Sequence, residues 1–168
     1  MTMTSQLPAV IDWLVAGAKA SPLLTGVTVV DGPQVPAAVQ ALPTVLWVGC
    51  DPGSPGDPVA SAEQDWPVMD QGRTRDEDGD VVLAARHRSG DSTSKVRRDG
   101  AAAIVGGVEL LLRGTPQSGG PGDVTMGNLV QWAGVDGPFT WSQRLLANGA
   151  ECLVTFHIRY RARLLTTT

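Results

Sequence analysis

The stretch ECLVTFHIRYRARLL, Glu151–Leu165, decides the fold of this chain. Apolar and polar residues alternate along it, which is typical of a β-strand with one buried face. The dipeptide Asn148-Gly149 precedes the stretch and favours a two-residue type I′ hairpin turn. The sequence therefore predicts that the final strand pairs with the residues before Asn148 in an antiparallel hairpin.

A turn at Asn148-Gly149 would fix the register of this hairpin, because the turn type sets which residues face each other. One face of both strands would then be apolar apart from one glutamine, and the other face would be polar. The predicted pairs on the apolar face are Trp141 with Phe156, Phe139 with Ile158, Leu145 with Cys152 and Gln143 with Val154.

The arginines of the stretch lie beyond this hairpin. Gly137 and Pro138 interrupt the partner strand, so residues 159–164 need a different strand, from this subunit or from a neighbour. Three interpretations are open: a solvated sheet face, a subunit contact to acidic loops, and a nucleic-acid contact. The candidate residues for a subunit interface are Arg159, Tyr160, Arg161 and Arg163.

A second hairpin is predicted between Glu63 and Ser89, because Asp78-Gly79 is a strong turn signal flanked by strand-like residues. In such a hairpin the acidic residues around the turn would form a tip that is exposed to solvent. Clustered carboxylates also suggest calcium, but the glycine is misplaced for an EF-hand loop, so an exposed tip is preferred. The residues of the predicted tip are Asp76, Glu77, Asp78 and Asp80.

The remaining pattern predicts an α+β fold in one domain, residues 1–168, with a mixed but mainly antiparallel sheet and two helices on one face. Apolar residues at helical spacing predict a helix over Leu7–Ser21. A second helix, capped by Asp91, Ser92 or Ser94, is predicted to run to about Arg113, where Gly114 is a favoured C-terminal residue. The predicted strands include residues 26–31 and 44–49, and flexible loops are predicted at about 51–61 and 114–126.

Composition limits the function classes. The chain has 168 residues, 42% of them hydrophobic, and a formal charge of −4. This charge argues against a general nucleic-acid-coating protein. The cysteines, Cys50 and Cys152, lie in apolar runs and are predicted to be buried free thiols. We see no signal peptide and no membrane-spanning stretch, and we expect a soluble protein made in the cytoplasm.

The motifs that carry chemistry are weak. Ser92-x-x-Lys95 matches the nucleophile and lysine of serine acyl-enzymes, but the accompanying motifs of that class are absent. His87 and His157 have no companion ligands at metal-binding spacing, and the glycine-rich residues 118–123 lack the lysine of a P-loop. The sequence therefore predicts no enzyme, no cofactor and no metal.

The chain resembles the tail terminator proteins of long-tailed bacteriophages, especially those of actinobacterial phages. Three segments carry this resemblance: LPAVIDWLVAGAKASPLLTGVTVVDGP at 7–33, TVLWVGCDP at 44–52 and ANGAECLVTFHIRYRARL at 147–164. The resemblance implies a small subunit of a closed, hexameric ring at the head-proximal end of the tail tube. Such a ring ends tube polymerisation and joins the tail to the head, and it performs no chemistry.

The resemblance also implies the partners: further copies of the chain, the tail tube protein, and the head–tail connector or stopper protein. DNA would pass through the lumen without sequence-specific binding, no membrane would be involved, and the protein would reside in the neck of the virion. The basic final strand and the acidic tip are then candidates for complementary patches between subunits. Because a lumen should avoid strong positive charge, we place the acidic residues Asp76, Glu77, Asp78 and Asp80 at the lumen or rim.

Two alternatives come from different classes. Another neck protein, such as a head–tail stopper or a tail-completion protein, would have the same general features. A small hydrolase that uses Ser92 and Lys95 is the enzymatic alternative.

Overall fold

The computed structural model describes residues 5–33, 37–54, 56–66, 74–90, 93–115, 120–146 and 149–165. The helices are α1 (Leu7–Ala20), α2 (Ala37–Ala41) and α3 (Ser94–Arg113), and a 3-10 helix covers Pro22–Leu24. The strands are β1 (Thr28–Asp31), β2 (Thr44–Val48), β3 (Ala60–Asp65), β4 (Thr74–Ser89), β5 (Gly114–Thr115), β6 (Gly120–Pro121), β7 (Trp132–Leu146) and β8 (Gly149–Leu165).

Six of these strands form one mixed sheet in the order β1-β2-β4-β8-β7, and β3 joins it by pairing with β4. Strands β2 and β3 lie along the same edge of β4, because β2 pairs with residues 83–87 and β3 with residues 76–81. Only β1 and β2 run parallel; the other pairs of this sheet are antiparallel. The predicted α+β class is confirmed.

The main core lies between the sheet and the helices α1 and α3. These two helices lie on one face of the sheet, as predicted. A smaller apolar cluster lies on the opposite face, where the side chains of the unpredicted helix α2 and of the residues after it cover Trp47. The larger core is built mainly from one face of β4 and β8. Its members on these two strands are Val81, Leu83, Ala85, Cys152, Val154, Phe156, Ile158, Tyr160 and Ala162.

Both predicted long helices are confirmed, but the residue that precedes α3 is Thr93, which is not one of the predicted capping residues. Gly114 follows α3 with a φ of 69°, and its N–H donates to the carbonyl of Leu110. Two glycines inside α3 allow close packing: a Cβ on Gly100 would lie 2.3 Å from the ring of His87, and one on Gly107 would lie 2.6 Å from Leu24. Small residues are therefore required where α3 contacts its neighbours.

The predicted turn at Asp78-Gly79 is wrong. Strand β4 continues through both residues, and β3 pairs with it from Asp76 to Val81. Gly79 faces Tyr160 across the sheet, and a Cβ at this position would lie 2.1 Å from the tyrosine ring. The glycine therefore makes room for an aromatic ring, and tertiary packing overrides the local turn preference.

The predicted register of the final hairpin is also wrong. Trp141 faces Val154, Gln143 faces Cys152 and Leu145 faces Ala150, a slip of two residues from the predicted pairs. Because side chains alternate with a period of two, this slip leaves every residue on its predicted face. Leu146 faces Gly149, and residues 147 and 148, including Asn148 of the predicted turn, lie outside the described residues.

The two predicted loops differ in content. Residues 51–54 and 56–59 form turns and irregular backbone. The second segment instead contains the small ribbon of β5 and β6, followed by a turn organised by Asp123, whose carboxylate accepts from the N–H and hydroxyl of Thr125. Met126 at this turn is buried in the main core. This part of the predicted loop therefore contributes to the packing.

Replacing Gly79 by Ala should destabilise the fold by about 1 to 3 kcal/mol, because the new methyl group would overlap the ring of Tyr160. Urea unfolding followed by tryptophan fluorescence would measure this change. The matched control is Gly134→Ala in β7, where a Cβ would meet nothing within 4 Å. Equal effects of the two substitutions would contradict the proposed packing role of Gly79.

Candidate interaction surfaces

The arginines of the final strand lie at the centre of the sheet. Strand β8 pairs over its whole length with β4, so that Arg159, Arg161 and Arg163 face Asp80, Asp78 and Asp76. On its other side, the arginine-rich part of β8 pairs with residues 132–136 of β7. An irregularity between Asp136 and Thr140 separates these residues from the rest of β7. The part of the final strand that lies beyond the predicted hairpin therefore pairs with β4 and β7 of the same subunit.

Facing acids and arginines form a charged ladder on the sheet face opposite α1 and α3. Arg163 makes two hydrogen bonds to Asp76, from Nε to Oδ1 at 2.7 Å and from Nη2 to Oδ2 at 3.0 Å, and Arg161 Nη2 adds a third at 3.2 Å. These contacts, those from Arg163 above all, hold the pKa of Asp76 at about 2. Further along, His157 Nδ1 lies 2.9 Å from Asp80 Oδ2, and Arg159 contacts Asp136.

The prediction that Asp76, Glu77, Asp78 and Asp80 form an exposed tip is wrong. Asp76 and Glu77 are buried, Asp80 is half-buried, and of the four residues only Asp78 is exposed. Tyr160 is only 1% exposed, so it does not lie on a free surface. The acidic and basic sets that we assigned to neighbouring subunits instead contact each other inside one chain. Contacts within one chain therefore account for this charge pattern, and a role of these residues at a ring interface, a lumen or a rim stays a prediction.

Glu77 is a fully buried carboxylate at the start of α1. Burial raises its pKa, but hydrogen bonds from Gln64, Tyr160, Ser5 and the N–H of Gln6 outweigh that effect, and the net pKa is lowered. The Tyr160 hydroxyl donates to Oε1 over 2.8 Å, and Gln64 Nε2 donates to Oε2 over 2.6 Å. This anion therefore ties α1, β3 and β8 to β4, and its role is structural.

A pocket of about 380 Å³ opens on the face that carries the charged ladder. It lies where β4 and β7 end and β8 begins, away from the arginines of β8. Arg86 lies above the ring of Trp47, at 4.9 Å from its centroid, and donates to the carbonyls of Val39 and Leu42. The buried Glu151 pairs with the exposed Arg144. With Arg88 also lining the pocket, three arginines face one carboxylate, and the pocket is positively charged.

Of the residues weighed for chemistry, the structure describes Lys95, His87, His157 and the two cysteines, and His87 faces Cys152 across β4 and β8. Lys95 is exposed and pairs with Asp99 one helical turn on, and Ser92 lies outside the described residues. His87 packs under α3 against Gly100, where burial lowers its pKa. Cys50 and Cys152 are buried free thiols, as predicted, and burial raises the pKa of each. Over the described ranges, no cluster of acidic, histidine or cysteine side chains is suited to a metal ion.

An uncovered apolar row lies on strand β7, on the same face as α1 and α3. It consists of Phe139, Trp141 and Leu145, which are 47%, 46% and 86% exposed. Phe139 stacks on the buried Phe156 at 6.4 Å, so the row continues the main core beyond the helices. No strand among the described residues pairs with the outer edge of β7. The prediction placed these residues on the correct face, but it did not indicate that they would be exposed on an edge strand.

No known family model matches the chain, and no curated protein matches it in sequence. No helix within the described ranges is long and apolar enough to cross a membrane.

The acid sensitivity of the fold should reflect Asp76. Because the folded pKa of about 2 lies below the ordinary value of 3.8, the stabilisation is complete above pH 3.8 and is lost as the pH falls towards 2. Asp76→Asn should lower the urea midpoint at pH 7 and flatten its fall below pH 4. Asp12→Asn, which alters an exposed residue of α1, is the control. An unchanged acid profile in Asp76→Asn would contradict this assignment.

Proposed function

We propose that this chain is a structural, ring-forming subunit of the neck of a long-tailed bacteriophage, of the tail terminator kind. The observation that carries the proposal is the uncovered apolar row on the open edge of β7. Large apolar side chains that are exposed side by side usually mark a protein interface, and an open strand edge is a template for pairing with another chain. A stable assembly would cover both.

A ring explains why such an edge would be kept. In a cyclic ring each subunit joins two different patches, so every copy has both patches covered and none is left free. The sheet has two sides that suit this arrangement. Its last strand, β7, ends it on one side, and β3 and β1 lie along the other. Closure of a ring would remove edges that are an aggregation hazard in a single subunit.

The use of charged groups also favours a structural role. Several of the chain's charged side chains take part in the ladder between β4 and β8, in the Glu77 network, or in pairs on helix surfaces. Neutralised arginines present a weak positive field, which suits a protein through which DNA passes without being held. The proposed partners are other copies of the chain, the tail tube protein and the head connector.

Particles assembled without this protein would test the proposal in the virus. A terminator role predicts tails of uncontrolled length, whether or not they are attached to heads. Tails of normal length with unattached heads would favour the other neck roles, those of a stopper or a tail-completion protein. Normal virions would contradict the proposal.

The purified protein should form a ring of defined size, detected by light scattering coupled to gel filtration and by negative-stain microscopy. The double variant Trp141→Ser/Leu145→Ser should shift it towards monomers, because it removes most of the apolar row. Val96→Ser, which changes an apolar residue 43% exposed on α3, should leave the ring intact. A wild-type protein that stays monomeric at high concentration would contradict the proposal.

A further inference from the structure

The outer edge of β3, like that of β7, is open to pairing with another chain. β3 pairs with β4 on one side, and no strand among the described residues pairs with its other side. Its residues Ser61, Glu63, Gln64 and Asp65 are exposed, and Trp66, which follows the strand, is 49% exposed. An edge of this length offers a row of backbone donors and acceptors to a further strand.

Acidic side chains are crowded at this edge. Glu63 faces Asp78, and Asp65 faces Asp76, on the face that carries the charged ladder. Like charges that face each other across strands are destabilising. Asp76 and Asp78 have arginine partners in β8, whereas Glu63 and Asp65 form no ion pair with the residues that the structure describes. A cation placed along the open edge of β3 would therefore be attracted to these carboxylates.

The outer edge of β7 carries such a cation on the same face. Arg144 faces Glu151 in β8, and its side chain is 71% exposed. Behind it the pocket holds Arg86 and Arg88, so Glu151 is opposed by more positive charge than it neutralises. An additional carboxylate placed beside Arg144 would be attracted by this group. The two open edges are therefore complementary in charge.

Symmetry restricts how two such edges can meet. Strand direction alternates along β3, β4, β8 and β7, because each of these pairs is antiparallel. Rotation about an axis roughly parallel to the strands preserves their direction, so β7 of one subunit would meet β3 of the next in antiparallel orientation. The helix-covered faces would continue across the contact. The charged faces would also continue, which brings Glu63 and Arg144 to the same side.

We propose, on the basis of the proposed ring, that β3 of each subunit pairs antiparallel with β7 of the next, with Glu63 opposite Arg144. This register also suits the other face. There the small Ala62 would lie opposite the large Leu145, Gln64 opposite Gln143, and Trp66 opposite Trp141. Aromatic pairs are favourable cross-strand neighbours, and the small residue leaves room for an exposed leucine. The apolar row is then covered by the next copy of the same chain.

Charge reversal tests the contact. Glu63→Arg or Arg144→Glu should each raise the concentration at which rings dissociate by roughly tenfold or more, since every interface of the ring loses the pair. Both changes in one chain should restore assembly. Asp12→Arg makes the same charge change as Glu63→Arg, but on α1, and is the control for that variant. Thermal melting confirms that the variants are folded, and Glu63→Gln with Arg144→Gln replaces any reversal that unfolds the chain.

Mixing the two single variants gives a sharper result. A subunit carrying Glu63→Arg fits one carrying Arg144→Glu at both of its edges, so the equimolar mixture should form rings of alternating subunits although neither variant forms them alone. Rings in the wild type that are unaffected by either reversal would overturn the inference but leave the proposed function standing. The same applies if neither the mixture nor the doubly reversed chain assembles. A wild type that forms no ring would instead overturn the proposed function itself.

Discussion

The pairing of β4 with β8 is the constraint on which the rest of the structure depends. Its register is set on both faces at once: Tyr160 occupies the space above Gly79 and donates to Glu77 on one face, and Arg163 holds Asp76 on the other. A slip of one residue would turn the arginines of β8 towards α1 and α3 and expose its apolar side chains. The same two strands therefore determine the core, the charged ladder and the position of every neighbouring strand.

This pairing also determines which surfaces remain for partners. The acids and arginines that the sequence suggests for an interface form ion pairs within the subunit, where each neutralises the other. Exposed side chains remain at the two open edges of the sheet. They are the apolar row and Arg144 on β7, and Glu63 and Asp65 on β3. A sheet that is electrostatically balanced in the middle and unbalanced at its edges is well suited to repeat side by side.

The sequence predicted much of the fold because its signals are local. Apolar spacing and a C-terminal glycine are sufficient to place α1 and α3, and alternation is sufficient to assign the faces of β7 and β8. The errors arose where a local signal competed with a distant contact. Asp78-Gly79 is a favoured turn, but Gly79 is needed for the ring of Tyr160, which lies far away along the chain. The hairpin register moved by two residues, a change that alternation cannot detect.

By itself, the sequence determined the α+β class, the long helices, the apolar and polar faces of the final strand, and two buried thiols. Only the tertiary structure decided that Arg161 and Arg163 meet Asp76 within one subunit, that Glu77 is buried at the start of α1, and that the apolar row on β7 is left uncovered. The physical reason is that periodicity reports which side of a strand a residue occupies. It does not report which strand lies beside it or how far a helix extends over it, and these decide whether a charge is neutralised and whether an apolar side chain is exposed.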